Sequence, residues 1–336
     1  MFSKFSKKIG IDLGTANVRV CASSSTEVLN EFNILMLDVN NGEYVKTGSD
    51  ALNLIGKESA EYQIIKPVKN GVLQDIEAQR ELLYPMVDSL IGRHRIIKPE
   101  IIISIPRVLR DSDRNSILSL IEDLGGHANC YLVPEIILSA LGLKLSIYSS
   151  TGTAIVNMGA GTVETAILSS GGVNASYSLQ FGGDDLDQLI IDYFKSNNLL
   201  IGIKTAENLK KNFLAAEVED KNLYLDIKGK EISSGRAIIH NFKADDLRVA
   251  ILPGLEKIAN SIKNVIEDLP PELSGDVLDK GIVITGGLSK LRKFNSYLSS
   301  YLNVPVYRFD NPENSTILGL QFLSNNIDLI SKTIKL

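Results

Sequence analysis

Three runs of small residues, Gly14-Thr15, Gly159-Ala160-Gly161-Thr162 and Gly286-Gly287, each follow an apolar stretch of this sequence. Residues without bulk let backbone N–H groups approach an anion, and several such groups together cradle a phosphate. A single glycine turn is ordinary hairpin punctuation. Three of them with polar flanks point to a phosphorylated ligand. Asp12 stands just ahead of the first run, at the end of an apolar alternation. A carboxylate there needs a partner, and Mg²⁺ carried on a nucleotide would serve, reached through water. Asn157 stands just ahead of the second run. An amide can hold a water molecule but carries no charge and takes no proton.

The elements that must position these residues are legible in the periodicity. Ile9, Ile11 and Leu13 alternate, Gly14 and Thr15 turn, and Val18 and Val20 resume the alternation, which predicts a β-hairpin. Ile155 and Val156, a turn at 159–162, and Thr165, Ile167 and Leu168 repeat the design. A repeated hairpin predicts two similar halves facing one another. Helices are expected at 76–92 and 111–125, the second with an apolar face of Ile117, Leu118, Leu120, Ile121 and Leu124 and a cap at Asp111 or Ser112. The run PEIIISIP at 99–106 reads as a strand buried on both faces. Residues 131–145 pass from strand to helix. A glycine turn leads into a helix capped by Asp184 or Asp185, and another helix covers 205–216. Short strands are expected at 222–233, a helical stretch interrupted near Pro253 at 245–268, and strand, turn and helix at 280–291. The mixed order makes the class α/β.

Bulk composition narrows the function. At 336 residues the chain is too long for one ordinary core, so two domains are expected. Hydrophobic residues at 44% and charged residues at 22% fit a soluble globular protein. A net charge of -5 offers no global basic surface, so nucleic acid is not an expected partner. Cys21 and Cys130 form no CxxC pair, and His94, His127 and His240 are scattered, which argues against zinc and disulfide frameworks and fits a reducing cytoplasm. No apolar run is long enough to span a membrane, and MFSKFSKKIG does not read as a secretory signal. Its two phenylalanines among lysines could touch an anionic membrane surface through residues 1–8. The loop PRVL at 106–109 offers apolar side chains to a membrane or a neighbour.

IGIDLGTANV resembles the first phosphate loop of the actin, Hsp70 and sugar-kinase superfamily, IVNMGAGTVE its second, and GIVITGGLSKL its adenosine loop. Along nearly its whole length the chain is similar to the bacterial actin family MreB, through KPVKNGVLQD, VPEIILSALG, FGGDDLDQLIIDYF, IGIKTAENLKKNF and LPPELSGDVLDKGIVITGG. The resemblance implies an actin-like ATPase fold with two ribonuclease-H-like halves around a nucleotide cleft. It implies four subdomains: IA at 1–35, 67–147 and 313–336; IB at 36–66; IIA at 148–182 and 245–312; and IIB at 183–244. It implies ATP or ADP with Mg²⁺ as cofactors and self-association head to tail into protofilaments, with sister copies as further partners. The expected place is the cytoplasm, at the inner face of the membrane, in support of cell shape, helical form or motility.

Carried over by residue, Asp12 faces the water shell of Mg²⁺, with Asn157 as the second outer position. Gly14, Thr15, Ala16 and Asn17 wrap the phosphates, and Gly159, Ala160, Gly161 and Thr162 close over them. Glu207 and Lys210 face the nucleoside, and Gly286 and Gly287 give it a flat backbone to lie on. Glu135 matches the glutamate that orients the attacking water, with Thr162 and Asp12 as the other catalytic candidates. Asp184 falls in an acidic turn near the cleft. The family usually has Asp at the place of Asn157, Glu and Pro at the places of Pro134 and Ile136, Gly at that of Ala160 and Thr at that of Val163. These departures gather at hydrolysis and imply a weak or degenerate ATPase. A small-molecule kinase on the same fold and a nucleotide-independent scaffold are the alternatives.

Overall fold

The computed structural model describes residues 6–23, 25–92, 98–124, 130–217 and 223–329. Two five-stranded sheets form its frame. In the first, β1 (Lys8–Leu13) and β2 (Asn17–Ala22) make the first hairpin, β3 (Val28–Phe32) continues it antiparallel, and β4 (Glu100–Ile105) and β5 (Cys130–Pro134) are added in parallel. The order across the sheet is β5-β4-β1-β2-β3. In the second, β6 (Thr153–Met158), β7 (Val163–Ser169) and β8 (Gly172–Leu179) run antiparallel, and β9 (Ile282–Thr285) and β10 (Val306–Arg308) are added in parallel. Its order, β8-β7-β6-β9-β10, is that of the first sheet.

The register is duplicated as well. Leu13 pairs with Val18 and Asp12 with Arg19; Met158 pairs with Val163 and Asn157 with Glu164. All six residues of β4 are buried, as a continuous apolar run between two parallel neighbours requires. On one face of the first sheet, α1 (Ile76–Ile91) and α2 (Asp111–Asp123) join Ile11, Val20 and Ile103 in a core through Leu83 and Leu120. On the second sheet α4 (Gly183–Ser196) and α6 (Ala244–Glu267) bring Ile190, Phe194, Ile251 and Leu255 against Val156 and Ile167.

Between the sheets lie α3 (Glu135–Gly142) and α7 (Ser315–Asn325). Leu138 of α3 packs with Ile102 and with Leu320 of α7, while Ile136 and Ala140 pack with Ile155 and Ala166 of the second sheet. The two helices touch backbone to backbone. A methyl group at Gly142 would run into Ser315 O, and one at Gly319 into Leu138 O. Two three-stranded sheets stand outside this frame, one of Leu35–Asp38, Tyr44–Thr47 and Tyr62–Ile65, the other of Leu199–Leu200, Tyr224–Glu231 and Ala237–Lys243.

Several local expectations are corrected. The helix at Pro253 is not interrupted: α6 runs through it. Proline deprives the Val249 carbonyl of its donor, but both residues are exposed, so water can serve in its place. Arg110, not Asp111 or Ser112, is the N-cap of α2, and Asp111 is its first helical residue. At α4 the cap position is Gly182, whose N–H donates to Asp185 Oδ2 at 2.8 Å from inside the helix. The short strands expected at 222–233 are one strand, Tyr224–Glu231, in which Leu225 and Ile227 are buried between exposed neighbours. The segment at 287–290 is a 3-10 turn.

Candidate nucleotide cleft

The turns β1–β2 and β6–β7 face each other across one cavity of about 690 Å³. Every residue expected at the site lines it: Asp12, Gly14, Thr15, Ala16, Asn17, Glu135, Asn157, Gly159, Ala160, Gly161, Thr162, Glu207, Lys210, Gly286 and Gly287. The turns almost touch. Thr15 Oγ1 accepts the Gly71 N–H at 3.0 Å. A Cβ at Gly161 would stand 2.7 Å from both Thr15 Oγ1 and Asn70 Cα, so only glycine fits there. Asn33 Nδ2 donates to Gly14 O at 2.8 Å and fixes the first turn. The Gly159 N–H donates to Thr162 O at 2.8 Å and closes the second. Among the described residues, the amides of Thr15, Ala16, Ala160 and Gly161 find no acceptor, and four such N–H groups at two facing turns suit an anion.

The third turn is welded to the floor. Gly286 has φ +84, and a methyl there would strike Met158 O and Asn157 Oδ1. Its N–H donates to Pro312 O at 3.1 Å. Thr285 Oγ1 donates to Pro312 O at 2.8 Å and lies 2.9 Å from Ser315 Oγ, at the start of α7.

The polar groups on the cleft floor are engaged with one another. Arg19 Nη1 donates to Asp12 Oδ2 at 3.0 Å, and Ser104 Oγ donates to Asp12 Oδ1 at 3.1 Å. Burial raises the Asp12 carboxyl above the usual range, and Arg19 and Ser104 oppose that rise. Asn157 Nδ2 donates to Glu135 Oε1 at 2.8 Å, and Thr316 Oγ1 approaches the same oxygen at 3.4 Å. Burial, then the charges of Asp12 and Glu164, push Glu135 up to about 8. Glu164, opposite Asn157 in the register, accepts the Arg107 N–H at 2.8 Å, and burial pushes it up to about 7.

Several of the cleft's cations are paired in the same way. Lys210 Nζ donates to Asp187 Oδ2 at 2.6 Å and to Gly183 O at 2.7 Å, so the residue expected at the nucleoside also ties α5 (Ile203–Asn212) to α4. Burial pushes Asp187 up to about 6, against the pull of Lys210. Glu207 pairs with Lys211 at 2.5 Å, and Lys66 reaches across to Asp184 at 2.9 Å. Arg19, Ser104, Glu164 and Asp187 escaped the sequence reading. Of these, only Arg19 had a signal, since a four-residue turn between paired strands sets it opposite Asp12.

The residues present do not fit a metal held by the protein. The carboxylate expected to face Mg²⁺ already carries a cation, and the second expected position is a neutral amide turned to Glu135. Among the described residues no three acidic, histidine or cysteine side chains gather where they could hold a metal ion.

The sequence profile described as MreB/Mbl protein matches residues 6–332. The cell shape-determining protein Mbl of Bacillus subtilis (strain 168) is 31% identical over 329 residues, 98% of each chain. The crystal structure of MreB 5 of Spiroplasma citri bound to AMPPNP has a TM-score of 0.89 at 25% identity, covering 97% of this chain and 98% of that one. A MamK double helical filament shares the fold at a TM-score of 0.78 and 21% identity, covering 95% and 98%.

Proposed function

The chain belongs to the MreB/Mbl family, and from that premise we propose that it is a nucleotide-binding filament protein of the cytoskeleton that supports cell shape. One observation carries this: two duplicated hairpins bring unpaired backbone amides to opposite sides of a single cleft. ATP or ADP would lie with its phosphates between Gly14–Asn17 and Gly159–Thr162 and its nucleoside against Glu207, Lys210, Gly286 and Gly287. The similar MreB 5 of Spiroplasma citri was crystallised with AMPPNP, which supports the ligand class. The name of Mbl supports the role in shape. The two small outer sheets are read as subdomains IB and IIB, and subunits as stacking head to tail, with sister copies able to join.

Hydrolysis in this reading is slow. Glu135 accepts a hydrogen bond from a neutral amide and, pushed to about 8, holds its own proton at neutral pH. A protonated acid does not take a proton from water. Contact with an anionic membrane is assigned to residues 1–8 and the loop 106–109. Phe2, Lys4 and Phe5 lie outside the described residues. Lys7 donates to Leu90 O at 2.9 Å and so is spent on the end of α1, whereas Val108 is 72% exposed. Among the described residues no helix is long and apolar enough to cross a membrane.

Sedimentation and phosphate release, followed on one sample with ATP, with ADP and without nucleotide, test the proposal. Pelleting that depends on nucleotide, with slow phosphate release, is expected. A chain that never pellets is not a filament protein, and ADP formation that depends on an added sugar would make it a kinase. Loss of liposome binding on deletion of residues 1–8 is the expected result for the membrane contact, and unchanged binding contradicts it.

A further inference from the structure

Asp12 and Asn157 occupy the same position in the two hairpins, and neither presents uncompensated negative charge to the cleft. Asp12 gives Oδ2 to Arg19 and Oδ1 to Ser104. Asn157 gives its amide hydrogen to Glu135. Taking the nucleotide reading above as given, we infer that Arg19 is the phosphate-facing cation of this site, supplying charge that a divalent metal was expected to supply, so that ADP and ATP bind with little dependence on Mg²⁺.

The geometry of a guanidinium suits this double task. Arg19 lines the cavity beside the first turn, with its side chain 16% exposed. Among the described residues Asp12 is its single hydrogen-bond partner, through Nη1 alone. A guanidinium carries five N–H donors in a rigid fork, so one nitrogen can hold Asp12 while others reach a phosphate oxygen. Charge-assisted bonds of that kind are the strong ones. Lys210 has less in reserve, since two of its three N–H donors already go to Asp187 and Gly183 O. The other acid that acts on Arg19, Glu313, is itself bonded to Lys290 Nζ at 2.8 Å. A divalent ion approaching Asp12 would meet a fixed positive charge on the oxygen it needs.

The test is the affinity of the whole chain for ADP, measured by calorimetry with Mg²⁺ and with EDTA. For the natural chain the two dissociation constants should agree within about 3-fold, where loss of an outer-shell metal partner elsewhere costs about 10–100-fold. Arg19→Gln bares the Asp12 charge, which repels phosphate alone and attracts the metal. Its ratio of EDTA to Mg²⁺ dissociation constants should rise by about 10-fold or more. Arg19→Gln with Asp12→Asn removes both charges and should bring the ratio back down, and thermal melting of each variant reports that it is folded. A natural chain that needs Mg²⁺ to bind ADP overturns the inference and leaves the nucleotide reading intact. An unchanged ratio in folded Arg19→Gln also overturns it. No ADP binding in either buffer overturns the nucleotide reading and the inference with it.

Discussion

The hairpins β1–β2 and β6–β7 correspond position for position, yet they use their polar pair differently. In the first, Asp12 and Arg19 bond to each other across neighbouring strands. In the second, Asn157 and Glu164 bond away from each other, Asn157 to Glu135 at the head of α3 and Glu164 to the Arg107 N–H beyond β4. Both of those partners follow strands of the first sheet. The first hairpin therefore keeps its charges at the cleft, whereas the second spends its polar groups on joining the halves. Duplication of a fold fixes where the backbone turns; the side chains at equivalent positions remain free to take up different work.

The largest effect that would break this comparison comes from closing one turn. Gly161→Val would press on Asn70 and Thr15, and nucleotide affinity should fall by about 100-fold or more, since even a Cβ there would stand only 2.7 Å from Asn70 Cα and 2.9 Å from Asn70 N. The equivalent residue of the first hairpin, Ala16, already carries a methyl group, so Ala16→Gly should change affinity by less than about 3-fold. Equal losses in the two variants, read by titration of a fluorescent ADP analogue, would show that the turns are not distinguished as described.

Next comes the Glu164 strut. In the folded chain its carboxyl holds a proton up to about 7, whereas the ordinary value is 4.5. The folded state thus binds more protons than the unfolded one between those values, so stability falls as pH rises through that window and levels off above it. Glu164→Gln should lessen that slope by about 1–3 kcal/mol between pH 5 and pH 8 by denaturant titration, leaving the part that the raised Glu135 and Asp187 contribute. A variant with the same slope as the natural chain would place the titration elsewhere.

Restoring an acid to the second hairpin should have a smaller effect. Asn157→Asp is expected to raise phosphate release by about 10-fold in Mg²⁺. A natural chain that already turns over as fast as the variant would contradict the account of slow hydrolysis. The smallest effect is at the rim. The Lys66–Asp184 pair spans the cleft at 2.9 Å with its side chains 45% and 35% exposed, so Lys66→Ala should cost less than about 1 kcal/mol in melting experiments. A larger loss would mean that surface charge, rather than the buried struts, holds the halves together.

Much of this was legible in the sequence because it is local. Alternation and small-residue turns located both hairpins, and the apolar run at 99–106 located the doubly buried β4. The residues expected at the site line one cavity because the same turns carry them. The side chain that bonds Asp12 stands seven residues away. An acid at the end of a buried strand suggests a metal until the register of its own hairpin is counted, and Arg19 is the residue opposite. Glu164 and Asn157 could not be read in this way, since Arg107 lies 57 residues from the first and Glu135 lies 22 from the second. Only the packing of the two sheets through α3 and α7 brings those groups together. Helix ends were misplaced for a related reason: at α2 and α4, acids near the start bond to Arg110 and to Gly182 N–H instead of capping by the simple rule.

The central claim is that the two facing turns make one nucleotide site. The most direct test is the stoichiometry of ADP bound to the full chain, measured by calorimetry at neutral pH. One ADP per chain, saturating below millimolar ligand, is the predicted result. No association at millimolar ADP would contradict it.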